Sequence, residues 1–255
     1  MKLRNLIYLY DLTFALASKE LKSKYKSTAF GFLWIVINPL LQMLVLTIVF
    51  SFIIKIQIDN YPLFVFSGLL PWMFFSLSVQ AGTSSLIANR DLIKKVPFPR
   101  EILPISSVVA HLFIFVLSLI LLVMFVIITA GLWFPLLFLI PLVVLVALFA
   151  ISLSLLLSSL DVYYRDVSFM LQAILVPWFY LTPILYPISF VPKLFLGFYQ
   201  LNPMVGIITA FQAIFLGENM VAWSALGVSV LETVILLVVG FFVFKKRSKY
   251  FADWV

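Results

Sequence analysis

The sequence has no cysteine and a single histidine, His111. Disulfides, thiol chemistry, structural zinc and most transition-metal sites are excluded with them. Charge is also scarce: 11% of residues are Asp, Glu, Lys or Arg, against about 25% in soluble domains. None of the nine glycines is followed by lysine, so the phosphate-binding loop G-x-x-x-x-G-K is absent. The alternating strands of an outer-membrane barrel are missing as well. The start, MKLRNLIYLYDLTF, has only a short apolar stretch before Asp11 and no small-residue cleavage site, unlike a signal peptide, so Met1 is expected to be a retained cytoplasmic terminus.

What is there is apolar: 64% of 255 residues are hydrophobic. A hydrocarbon layer roughly 30 Å thick takes about 20 residues per helical crossing. Six segments are long enough, at 29–54, 61–88, 102–130, 135–159, 167–188 and 222–244. Helices satisfy their own backbone in lipid, so each reads as a transmembrane helix. The net charge of +7 raises the question of nucleic acid, but the position of the basic residues answers it. Six Lys and Arg precede the first segment, four lie in 89–101, Arg165 stands alone and four follow the last segment. The alternate loops hold only Lys55 and Lys193. The positive-inside rule then puts both termini in the cytoplasm, and no nucleic-acid partner is expected.

The sequence predicts three parts: a cytoplasmic N-terminus with an interfacial helix over 1–28, a six-span domain over 29–245, and a cytoplasmic tail over 246–255. Residues 11–27 carry Phe14, Ala17, Leu21 and Tyr25 at helical spacing, with Lys19, Lys22 and Lys26 on another sector. Anchoring to membrane lipids explains this pattern, and gating is the sharper alternative. Residues 190–216 contain an apolar run too short to cross, broken by Pro192, Gly197 and Pro203, with Gly217 just beyond. This predicts a re-entrant or interfacial pair of short helices on the outer side, acting as a gate or as a simple cap.

Four further features carry candidate residues. The loop NRDLIKKVPFPRE mixes both charge signs with Leu92, Ile93, Val96 and Phe98, and a short helix starting near Asn89 must end near Pro97 and Pro99. It suits a protein partner or serves only to fix topology. In LDVYYRDV, Arg165 can pair with Asp161 or Asp166, and helix capping accounts for the group equally well. Glu232 lies near the middle of the last span, where an ionised carboxylate costs about 2.5–3.5 kcal/mol, so a hydrogen bond between helices is expected for it. Aromatic residues form 17% of the chain, and Trp72, Phe74, Phe75, Trp178 and Tyr180 are candidates to line a glycan channel, with core packing and lipid contact as the alternative.

The run SKELKSKYKSTAFGFLWIVINPLLQMLVLTIVFSF resembles the opening of the ATP-binding-cassette export permeases for polysaccharide and polyol phosphate. Matching segments follow in order: YPLFVFSGLLPWMFFSLSVQAGTSSLIANRDLIKKVPFPREILPISSVVAH, LDVYYRDV, WFYLTPILYP and LNPMVGIITAFQAIFLG. The resemblance implies a homodimer of six-span subunits in the cytoplasmic (inner) membrane, exporting a lipid-linked polysaccharide of O-antigen or teichoic-acid type. It also implies two copies of a separate ATPase that bind the ATP and Mg, and no cofactor or catalytic residue on this chain. By position, Asn89, Arg90, Asp91, Leu92, Ile93, Lys94, Lys95 and Phe98 belong to the segment that docks on the ATPase. Phe14, Lys19, Leu21, Lys22 and Tyr25 belong to the interfacial gate helix, and 190–216 to the outer gate. A membrane enzyme of lipid-linked glycan synthesis would need catalytic groups, for which only Asp161, Arg165 and Asp166 qualify. An ion-coupled transporter would need several intramembrane ionisable groups, for which Glu232 stands alone.

Overall fold

The computed structural model describes residues 2–26, 30–130, 137–216 and 222–254. Among the described residues the chain is entirely helical. The expected bounds at 28–29 and 135, the break at Gly217 and the side chain of Tyr25 lie outside what is described. Among the described residues five helical segments are long and apolar enough to cross a membrane: Gly31–Ile53, Tyr61–Ala88, Ile102–Ile128, Leu139–Asp161 and Trp223–Tyr250. A bent pair, α8 (Lys193–Gln200) and α9 (Pro203–Leu216), becomes a sixth only if its 101° break sits within one span.

Helix α3 (Tyr61–Ala88) is the axis of the bundle, packed by α5 (Ile102–Ala130), α6 (Leu139–Asp161) and α9. Its interior faces are supplied by small residues and hydroxyls as much as by large apolar ones. Ser67, Thr83 and Ser85 each donate to a carbonyl three or four residues back, so their hydroxyls are satisfied without water. Ser152 and Ser158 do the same in α6. Close approach is set by glycine at two crossings. A Cβ on Gly206 of α9 would collide with the backbone of Ala225 and Leu226 in α10 (Trp223–Arg247). One on Gly240 of α10 would sit 2.7 Å from the Ser152 carbonyl oxygen of α6. Without a hydrophobic driving force between helices in lipid, such contacts hold the bundle together.

The fifth expected span differs from the reading of 167–188. Only Asp166–Tyr180 is helical there, as α7, which at 1.5 Å per residue reaches roughly 22 Å. Turns follow, and Thr182, Ile184 and Leu185 in them are buried in protein. Non-helical backbone at membrane depth is tolerated only under such cover, and Tyr61 Oη helps provide it by donating to the Leu185 carbonyl at 2.9 Å. The N-terminal helix is longer than expected: α1 runs from Lys2 to Tyr25 and lies along α5. The expected tail is folded too. Helix α10 continues to Arg247, and a short α11 (Phe251–Trp254) returns against the bundle.

Candidate functional site

Two groups of basic residues gather at one end of the bundle, Arg90, Lys94 and Lys95 of α4 (Arg90–Lys95) and Lys245, Lys246 and Arg247 in the last turn of α10. Asn89 joins α3 to α4 and donates from Nδ2 to the Ser85 carbonyl at 2.9 Å, fixing the corner. Pro97 and Pro99 then prevent the helix from continuing. Ile93 is 4% exposed and packs with Leu86, Leu103, Leu155, Val162, Phe244 and Phe251, while Leu92 and Phe98 flank this cluster. Arg90, Asp91, Lys94, Lys95 and Val96 face outward. The outcome is a knob with a charged outer surface, in which Ile93 serves the core and its charged neighbours are exposed.

The C-terminal turn, absent from the sequence-based expectations, braces this knob. Phe251 is fully buried and meets Phe244 edge-on at 5.2 Å. Arg100 donates from its guanidinium to the Ser248 carbonyl. Arg247 sits over the Tyr163 ring at 5.3 Å. A Phe-x-x-Trp pattern just beyond the last span, at Phe251 and Trp254, was the available signal.

Helix α1 is held beside the knob by polar contacts. Glu20 Oε2 accepts from Ser107 Oγ at 2.9 Å, and the Ser107 carbonyl accepts from His111 Nδ1 at 2.8 Å. A carbonyl only accepts, so Nδ1 carries the hydrogen. The predicted apolar stripe packs only in part. Ala17 is buried, Leu21 is half-buried and Phe14 is exposed, stacking at a tilt on Tyr10 with centroids 4.4 Å apart. Lys19 and Lys22 are exposed. Glu20, Lys24 and His111 were not singled out for this contact; an acid in a run of lysines was the clue.

The aromatic candidates divide. Trp72, Phe74 and Phe75 are buried core residues of the subunit: Phe75 stacks on Phe149 at 5.1 Å and Phe74 on Phe115 at 5.0 Å. This burial supports core packing for Trp72 and Phe75, whereas Phe74 also borders a cavity that Trp34, Asn38 and His111 line. Trp178 is partly buried against the same cluster, and Tyr180 is 59% exposed. At this far end Asn202 organises the elbow between α8 and α9. Its Oδ1 accepts from Trp178 Nε1 at 2.8 Å and from the Met204 N–H at 3.0 Å. Its Nδ2 donates to Thr182 Oγ1 at 3.0 Å and to the Leu181 carbonyl at 3.2 Å. With Pro203 at the first position of α9, this is a complete helix start. Helix α9 is buried almost throughout, and α8 presents Leu194, Phe195 and Phe198 outward.

Two charged candidates lack the partners expected of them. Arg165 is exposed and makes no ion pair among the described residues, because Asp161 turns inward and accepts from the Ser168 N–H at 3.0 Å. Capping is thus the role of Asp161. Glu232 is half-buried and has no hydrogen bond to any described residue, so the expected bond between helices is not made within one chain. Among the described residues no three His, Asp or Glu side chains converge.

Long apolar helices joined through glycine and serine, with a folded basic platform at one end, define a multi-pass helical membrane protein. The chain belongs to the ABC-2 type transporter family, which matches residues 11–216. It is 38% identical to the O-antigen export system permease protein RfbA of Myxococcus xanthus, over 98% of this chain and 97% of that protein. Its identity to the protein of the same name from Klebsiella pneumoniae is 32%, over 98% and 96%. The polysialic acid transport protein KpsM of Escherichia coli is 21% identical over 92% and 93%.

Proposed function

We propose that the chain is the permease subunit of an ATP-driven exporter that moves a lipid-linked polysaccharide of O-antigen type outward across the cytoplasmic membrane. It works as a homodimer with two copies of a nucleotide-binding ATPase, the basic end and both termini facing the cytoplasm. The observation that carries this reading is the near full-length likeness to permeases named for O-antigen export, joined to a rigid charged knob at α4. The absence of a phosphate-binding loop in the sequence supports a separate motor.

The mechanism follows from where the parts are stiff. ATP binding on the partner pushes α4, and α4 shares its core with Leu155 and Phe244, so the push reaches α6 and α10 as a rigid displacement. Helix α1, held by Glu20 on Ser107, moves with α5 and opens or closes the cytoplasmic mouth. At the outer end the Asn202 elbow keeps α9 fixed while α8 and Tyr180 are free to line the exit. Open and closed arrangements then exchange as the ATPase cycles.

The test is co-purification with the partner ATPase. Lys94→Glu with Lys95→Glu, or Val96→Asp, is expected to weaken the complex while leaving the purified permease folded, since all three side chains are exposed. Wild type that binds no ATPase, or charge-reversed α4 that binds as well as wild type, contradicts the reading.

A further inference from the structure

We propose that the cleft between α2 (Trp34–Thr47) and α5 binds the phosphate headgroup and first tail segments of the lipid that carries the exported glycan. The proposal rests on the substrate being lipid-linked, and it assigns the lipid end of that substrate a place on this chain.

Helix α2 leans on α3 and barely touches α5, which leaves a groove along its length. The groove has two compartments. The first, about 330 Å³, lies near the basic end and is lined by Lys24, Trp34, Asn38, Gln42 and His111. The second, about 480 Å³, shares Pro39 and Ser118 with the first and continues between Leu40 and Met43 on one wall and Leu121 and Leu122 on the other. The first compartment holds the cleft's ammonium and amide groups beside apolar walls from Leu70, Met73, Phe74 and Phe115, and the second is almost wholly hydrocarbon, in the order in which a lipid from the cytoplasmic leaflet would place its headgroup and tail.

The polar end looks built for a ligand on three counts. Asn38 and Gln42 lie one turn apart on a helix whose mean hydropathy is 2.2, and both are exposed with no hydrogen bond to any described residue. Unpaired amides are costly in hydrocarbon, so an acceptor-rich group is expected to meet them. Lys24 faces the same space and pairs with no carboxylate among the described residues. Glu20, the acid one turn before it, is engaged by Ser107 and lines a neighbouring cavity instead. His111 closes the inner wall with its Nδ1–H committed to the Ser107 carbonyl, which fixes the ring. One ammonium and two amide NH2 groups around a single space suit phosphate or diphosphate oxygens.

The test uses the permease–ATPase complex in vesicles of neutral phospholipid, probed with a long-chain isoprenyl diphosphate carrying a diazirine on its tail. Labelling is expected on peptides spanning 36–43 and 118–125. It should fall about tenfold in Lys24→Glu and in the Asn38→Leu, Gln42→Leu double variant, the scale of one or two charge-assisted hydrogen bonds. The double variant is more apolar at lipid-exposed positions, so it should insert and fold normally. Leu121→Trp, which fills the apolar compartment alone, should also reduce labelling. Excess unlabelled isoprenyl diphosphate should compete, and excess phosphatidylglycerol should not. Equal competition by phosphatidylglycerol would make the cleft a seat for bulk anionic lipid and overturns the proposal. Crosslinking of α2 to a second copy across this groove, or labelling elsewhere on the chain, also overturns it. ATP-dependent transport by wild type in the same vesicles separates the two readings: transport without cleft labelling sinks the site and leaves the exporter standing, whereas specific labelling without transport sinks the exporter reading.

Discussion

Helices α2 and α3 run side by side, and their burial is the reverse of their hydropathy. The Gly31–Ile53 segment containing α2 has a mean hydropathy of 2.2 and buries 11% of its most apolar window, whereas α3, at 1.7, buries 72%. In water the more apolar helix would be inside. In lipid the tails solvate Leu and Ile as well as protein does, so apolarity does not choose the interior. Glycine, serine and threonine choose it, because they permit close backbone approach and their hydroxyls can be satisfied on the helix itself. Helix α3 is therefore the buried frame, and α2, α7 and α8 form the exposed periphery.

The largest test of this contrast is Phe75→Ala in the frame against Phe52→Ala at the edge, where Phe52 is 71% exposed. The first is expected to cost about 3 kcal/mol through cavity formation. The second should cost almost nothing, and thermal unfolding of the detergent-purified complex reads both. Gly206→Leu should cost about 2 kcal/mol, because the backbone of α10 blocks any side chain there. Gly227→Leu meets open space and should leave the unfolding midpoint unchanged or raise it. Asn202→Leu should cost about 1–2 kcal/mol by stranding the Trp178 and Met204 N–H groups, and a shift in tryptophan fluorescence should accompany it. Arg165→Ala should stay within about 0.5 kcal/mol of wild type, because Arg165 is exposed and makes no ion pair among the described residues. Equal losses at frame and edge would dissolve the contrast.

How much of this was legible in sequence depended on punctuation. The α4 knob was bracketed by Asn89 and Pro97, and the α8–α9 bend by Pro192 and Pro203, so both were found close to their observed bounds. The facing of α3 was not legible. That helix is apolar all round, so nothing in LLPWMFF told that Trp72, Phe74 and Phe75 point inward. The end of α7 was missed because the apolar run continues to 188, although Pro183 and Pro187 carry the stop, and buried cover lets the turns lie there. Contacts across long separations, such as Glu20 to Ser107, Trp178 to Asn202 and Arg100 to Ser248, leave no periodic trace. Each joins residues whose local pattern has a complete explanation of its own.

ATP-dependent movement of a lipid-linked polysaccharide into sealed vesicles containing the permease and its ATPase tests the central claim most directly. The account predicts transport by wild type, and its loss with Lys94→Glu and Lys95→Glu while the permease still folds and the free ATPase still hydrolyses ATP. Transport that persists without ATP, or that is indifferent to charge reversal on α4, would contradict it.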